Sequence, residues 1–496
     1  MHNAMGSGMG VRSFLLGAVY AQTAATGYQR RAVGATAESF EDGGSDGLSP
    51  LPQGLHGASS FRPTGELPCG PALPRPKRIL VLFPGRWDRR HFSHPRYRGR
   101  FELLFHDEEL WSFPGGLWRI LRFHPVRYID EVVRRFRRER IDGVLSTDEY
   151  VGNIFAHAVA ERLGLPGSRP SAVIETCHKH YARRSQRAIV PDAVPAVQLM
   201  GVPPPRREEV RLRYPFFVKP VRGSFSIFSA RIESYRALAR HLALSLPWRL
   251  GLKAVLRPFN DLYRHYFPGA VDVNRFIAEE LLPGRQVCVD GFVSSGQIRL
   301  LGVVDACFFR GTHAFERFQY PSTLPAEVQA RMRVLARRLI AGLGLEHGPF
   351  NVELVYDEAR DHINVLELHP RISYQFADLY EDVDGTNTYD LMLDLAVGRE
   401  PVVREREGPH ATSASLVIRK FHGRRLVRMP DDATLREFAE RHPAARVELF
   451  AKPGSMNPEM RAMGSYRCAL INVGGSHEEI AATRRDADRL LQFDVA

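Results

Sequence analysis

Lysine is nearly absent from this chain: of its 68 basic residues only six are lysines, Lys77, Lys179, Lys219, Lys253, Lys420 and Lys452. Arginine supplies the rest of the positive charge, so a lysine inside a polar motif stands out. Cysteine is scarce as well. Cys69, Cys177, Cys288, Cys307 and Cys468 are far apart and form no CxxC, which excludes a disulfide framework and a cysteine zinc site. This usage suits a reducing, cytoplasmic setting. No apolar run approaches the ~20 residues that span a bilayer, so no membrane partner is expected. The run Phe14 to Val19, ahead of Val19-Tyr20-Ala21, is too short for a convincing secretion signal. The formal net charge is +12, yet the arginines cluster only briefly, at 134–138 and at Arg424-Arg425. Without an aromatic-interleaved basic stripe or zinc-finger spacing, charge alone makes no case for a nucleic-acid partner.

With 496 residues, 44% apolar and 25% charged, the chain has the composition of a globular protein and the length of two to four domains. Residues 1–76 are rich in Gly, Ser, Ala and Pro without periodicity and read as a disordered extension. Strand patterns at Arg78–Phe83, Phe101–Phe105 and Ile141–Ser146 alternate with helical patterns at Val126–Arg140 and Val151–Leu163. This alternation predicts a parallel sheet with crossover helices over 77–170. A helix carrying Lys179 should run to about Arg187. Strands are expected at Phe216–Pro220, Phe276–Leu282, Gln286–Val293 and Arg299–Ala306, and helices at Glu233–Leu244 and Pro325–Leu343. The Pro-broken stretch Leu246–Val273 receives no assignment. Residues 406–496 read as a small α/β domain with strands at Ala414–Lys420 and Cys468–Val473 and a capped helix at Ser476–Leu491.

The chemistry concentrates in two alternating runs, FNVELVYD and HINVLELHPR. The five residues Glu358–His362 can close them into a hairpin. A register pairing Asp357 with Ile363 and Val355 with Val365 sets Glu353 directly opposite Glu367. Opposed side chains have Cβ atoms about 4.5–5.5 Å apart, where like charges repel. A shared divalent cation resolves that repulsion, and magnesium takes carboxylate and phosphate oxygens together. A solvated strand face on which the acids splay apart is the competing reading.

The order of further stations resembles the ATP-grasp superfamily, which includes carboxylate–amine and carboxylate–thiol ligases and biotin-carboxylase relatives. The stations are Ile141-Asp-Gly-Val-Leu-Ser146 with its helix to Pro166-Gly167, His178-Lys179, Phe217-Val-Lys219-Pro220, Ala278-Glu-Glu-Leu-Leu-Pro-Gly284, Phe350-Asn-Val-Glu353 and Leu366-Glu-Leu-His-Pro-Arg371. The resemblance covers roughly 78–405. It implies an α/β and α+β architecture: a parallel-sheet domain at 77–170, a two-lobed ATP-grasp domain at 171–405 and the C-terminal domain at 406–496.

The same resemblance implies site roles. Lys179 and Lys219 would contact ATP phosphates beneath a loop bearing Ser224 and Ser226; a surface lysine is the plainer alternative for Lys179. Glu280, Leu281 and Leu282 would form the adenine hinge, with Glu279 on the same segment, and Gln286 would meet the ribose where relatives often carry glutamate. Glu353 and Glu367 would hold Mg2+ or Mn2+. His369 stands where the family commonly has asparagine, and imidazole suits manganese better than magnesium. Arg371 would steady the developing acyl phosphate, with a structural ion pair as its alternative, and Arg317 would be the phosphate- or substrate-facing residue of the stretch 311–321. The segments 311–321 and 373–380 would meet the second substrate.

The resulting expectation is an ATP-dependent ligase coupling small-molecule carboxylate and amine substrates, with amino acids or peptides as the substrates and a homo-oligomer compatible with it. Bicarbonate-activating chemistry, a non-catalytic ATP-binding regulator and a basic nucleic-acid binder are the competitors.

Overall fold

A computed structural model describes residues 75–106, 122–148, 151–223, 229–244, 246–267, 269–421, 425–450 and 465–496. The N-terminal extension therefore lies outside the described residues, apart from Arg75 and Pro76. The first unit is a parallel sheet in the order β2–β1–β3, from β1 (Lys77–Leu82), β2 (Phe101–His106) and β3 (Gly143–Leu145). Helices α1 (Arg86–Phe92), α2 (Pro125–Glu139) and α3 (Gly152–Leu163) surround it. Buried Ile129, Val132, Val133 and Phe136 fall at helical spacing on α2 and reach the sheet core.

The helix expected around Lys179 is two helices, α4 (Pro170–Cys177) and α5 (Lys179–Ile189), broken at His178. His178 adopts extended backbone, and its ring accepts the Tyr181 amide as an N-cap. An N-cap residue starts a new helix, so the break places Lys179 on the first turn of α5.

A four-stranded antiparallel sheet follows, ordered β4–β7–β5–β6: β4 (Val197–Met200), β5 (Phe216–Pro220), β6 (Ala230–Ile232) and β7 (Phe276–Glu280). Helix α6 (Tyr235–Leu242) covers it, burying Leu238 and Leu242. The unassigned stretch forms a long helix, α7 (Leu246–Tyr266), despite Pro258. Its Leu256, Phe259, Leu262 and Tyr263 are buried in the main core.

The largest element is an eight-stranded antiparallel sheet ordered β12–β11–β8–β9–β10–β13–β16–β15. It comprises β8 (Arg285–Ser294), β9 (Gln297–Phe308), β10 (Phe315–Tyr320), β11 (Gly348–Asp357), β12 (His362–His369), β13 (Thr412–Lys420), β15 (Ala445–Leu449) and β16 (Tyr466–Gly475). The short strands β14 (Leu426–Arg428) and β17 (Asp494–Val495) pair with each other. The C-terminal strands thus continue the central sheet: β13 pairs with β10 over four positions.

Helix α8 (Ala326–Leu343) packs Met332, Ala336 and Leu339 on one face of this sheet, against Val287, Val289 and Val303. Helix α9 (Ala377–Asp384) covers the other, with Leu379 and Tyr380 on Cys288, Val304 and Phe318. Helix α10 (Thr388–Ala396) joins α9 to the N-terminal sheet through Tyr389, Met392 and Leu393. The C-terminal end adds α11 (Asp432–Arg441) and α12 (His477–Leu490), whose Ser476 and Glu479 form the expected capping box. Among the described residues no helix is long and apolar enough to cross a membrane.

Candidate functional site

The opposition of Glu353 and Glu367 holds, but its flanking register differs from the expected one. Asp357 pairs with His362, Val355 with Asn364 and Leu354 with Val365, while Glu353 still pairs with Glu367. The turn is therefore four residues long, and an irregularity at Leu366 takes up the remaining one. A β-bulge places two residues opposite one, which brings the two acids back into line.

Directly paired residues share a sheet face. One row contains Glu367, Glu353, Cys288 and Val304. The next contains His369, Asn351 and Asp290. The third contains Val355, Gln286, Ala306 and Phe318. Glu353 therefore stands among polar neighbours. Its Oε1 lies 3.3 Å from His369 Nε2, and its Oε2 accepts the Gln286 amide at 3.1 Å. Gln286 thus touches a glutamate in this structure.

Lys179 joins the two sheets. Its Nζ lies 2.7 Å from Glu367 Oε1 and donates to the Gly223 carbonyl, just beyond β5, at 3.3 Å. Lys219, on β5, lies 2.8 Å from Glu279 Oε2. The Glu279 carboxylate turns to Lys219 and Arg183, and is buried with them. Burial pushes its pKa up, but Arg183 and Lys219 outweigh that and hold it at about 2. Glu280 is exposed at the end of β7, where its amide donates to the Ala196 carbonyl, and Leu281 and Leu282 follow it half-buried. Ser224 and Ser226 lie outside the described residues.

Arg183 is the site residue that sequence reasoning missed. Nε and Nη2 donate to the two Glu279 oxygens at 2.7 and 3.3 Å. Nη1 donates to Gln186 Oε1 and the Val365 carbonyl, both at 2.8 Å, and Nη2 also to the Leu366 carbonyl at 2.7 Å. This planar fork fastens the Lys219 partner to the segment just before Glu367. One arginine among so many gave no signal, although its spacing from Lys179, one helical turn, puts both on one side of α5.

Arg371 lies beyond the end of β12, with Nη1 donating to the Ile372 carbonyl at 3.0 Å. Its charge acts on Asp290 and Cys288, so it belongs to the glutamate-bearing face. Asp290 is buried and accepts from Asn351; burial pushes its carboxyl up to about 7. The structure does not bring Arg317 to this group. An irregularity in β10 pairs Arg317 with Cys307, on the face opposite Phe318 and Ala306. Its guanidinium meets Glu316 and Gln319, both at 3.3 Å. The neighbouring segment 373–380 supplies Tyr374, which packs on Trp87 of the N-terminal unit, and the start of α9.

Magnesium needs only one or two protein carboxylates when phosphate oxygens complete its shell. Glu353 and Glu367, opposed on paired strands with the Lys179 ammonium on Glu367, fit that demand. Among the described residues no three His, Cys, Asp or Glu side chains converge as a ready-made metal cage. The donor set therefore suits a cation that arrives with its own oxygen ligands.

The family profile of the ATP-grasp domain matches residues 212–379. An uncharacterized protein, y4rH, of Sinorhizobium fredii is 26% identical over 347 residues, covering 68% of this chain and 63% of that protein. Carnosine synthase 1 of Gallus gallus is 31% identical over 156 residues, 31% of this chain and 17% of that protein. The chain thus spans less than two thirds of either curated relative. Among solved structures, an L-amino acid ligase from Bacillus licheniformis superposes with a TM-score of 0.62 at 18% identity, covering 85% of this chain and 99% of that one.

Proposed function

From the ATP-grasp domain at residues 212–379, we propose that this chain is an ATP-dependent ligase joining a carboxylate to an amine. One observation carries the reading: the Lys179 ammonium lies against Glu367, with Glu353 directly opposite on the paired strand. Cations beside paired carboxylates form a site for a metal-bound triphosphate.

In this reading Lys179 and Lys219 bind the phosphate oxygens, and Glu353 and Glu367 hold Mg2+ or Mn2+, which supplies charge neutralisation. Arg183 keeps Lys219 and the Glu367 strand in register through Glu279. A substrate carboxylate oxygen attacks the γ-phosphorus and the bond to ADP breaks, giving an acylphosphate. An amine then attacks the acyl carbon, phosphate leaves with the bonding electrons, and the amine gives up a proton. Arg371, beside the glutamate row, offsets charge on the acylphosphate. Most of the acceleration comes from positioning and electrostatics, so no nucleophilic side chain is required. The likeness to proteins named L-amino acid ligase and carnosine synthase directs the proposal to amino acids or peptides as substrates.

The test is incubation of the purified chain with MgATP or MnATP and a mixture of amino acids, with ADP, phosphate and new product masses measured. ADP formation that requires both an acid and an amine is the expected result. ADP formation driven by bicarbonate alone, or nucleotide binding without turnover in either metal, would overturn it.

A further inference from the structure

Resting on the nucleotide reading above, the geometry points to Lys179 as a seal on Glu367 that admits cation and phosphate together and resists either one alone. The two lysines differ in what each leaves behind on turning to a phosphate. Lys219 leaves Glu279, which keeps its two-pronged bond from Arg183 and stays neutralised. Lys179 leaves Glu367 itself, a carboxylate the cation needs.

A divalent ion approaching Glu367 alone must push aside an ammonium held at 2.7 Å. The Lys179 side chain is only 11% exposed, and its ammonium also donates to a neutral carbonyl, Gly223 at 3.3 Å. Displaced without an anion to receive it, it stays beside the incoming charge, and the repulsion is only partly screened where the Glu367 side chain is 26% exposed. A phosphate arriving alone meets the opposite problem, because Glu353 and Glu367 face it without a cation between them. When both arrive, the ammonium passes from carboxylate to phosphate while the cation takes its place. Each ligand then lowers the cost of the other, and the coupling is reciprocal.

The test measures binding to the full chain. Bare Mn2+ is titrated by electron paramagnetic resonance without nucleotide, and ADP by calorimetry with Mg2+ and with EDTA, in wild type, Lys179→Met and Lys179→Arg. Wild type should bind bare Mn2+ weakly. Lys179→Met should bind it more tightly, by a factor within the roughly 5–150-fold range of coupled sites, while its affinity for ADP with Mg2+ falls. Lys179→Arg, which keeps the charge, should retain the weak Mn2+ binding.

A lysine that served only the phosphates would lose ADP affinity in the Met variant and leave bare Mn2+ unchanged, which overturns the seal alone. Tight Mn2+ binding by nucleotide-free wild type overturns it whatever the variants do. Failure of wild type to bind ADP even with Mg2+ overturns the nucleotide reading, and this inference with it.

Discussion

At the scale of single residues, the site is a set of carboxylates whose charge is managed by different means. Glu367 leans on Lys179, Glu353 on His369 and Gln286, and Glu279 on Arg183 and Lys219. Glu367→Gln keeps the size of the side chain but removes the charge, so turnover should vanish while circular dichroism stays unchanged. His369→Asn replaces an imidazole nitrogen with an amide oxygen and should raise magnesium-supported turnover relative to manganese; a collapse in both metals would show that the imidazole has a task of its own. Asp290 gives a pH prediction. Its folded pKa of about 7 lies above the unfolded carboxyl value near 3.9. The stability gained from its protonated form is complete below the unfolded value and is lost as pH rises through about 7. Asp290→Asn should therefore raise the melting temperature at pH 8 but not at pH 3.5, with a ceiling of about 4 kcal/mol from three pKa units. The facing glutamates were legible in the sequence because strand alternation and a short turn constrain them. Arg183 was not, because its partners lie 96 and 182 positions away in sequence.

At the scale of elements, the errors come from single residues that override periodicity. His178 splits one expected helix into two and thereby sets Lys179 on the turn that reaches Glu367. Pro258 suggested a break, yet the apolar spacing of Leu256, Phe259, Leu262 and Tyr263 carries α7 through it. Tertiary burial won over the local penalty of proline. Gly284 tests how far strand pairing positions the site. It has φ +124°, and a Cβ there would lie 2.1 Å from the Tyr356 carbonyl oxygen on β11. Gly284→Ala should push β8 from β11, weaken nucleotide affinity and lower stability by more than the roughly 1 kcal/mol typical of an average substitution. Calorimetry and ADP titration would check both effects.

At the scale of the molecule, the N-terminal unit is attached through α10 rather than by a loose linker. Gly143 of β3 lies so close that a Cβ would meet the Ala396 carbonyl at 2.3 Å. The parallel-sheet unit and the two-lobed middle region both follow the order of sequence stations. The continuity of the C-terminal strands with the central sheet did not, because pairing between β10 and β13 joins segments about 95 residues apart, a distance local pattern cannot report. Severing the chain after residue 405 would therefore strip β10 of β13, one of its two neighbours, and leave a row of unsatisfied amides and carbonyls beside the phenylalanines of its own face. Bare strand edges recruit other chains. A fragment ending there should sediment as aggregates, and co-expression of residues 406–496 should return it to solution.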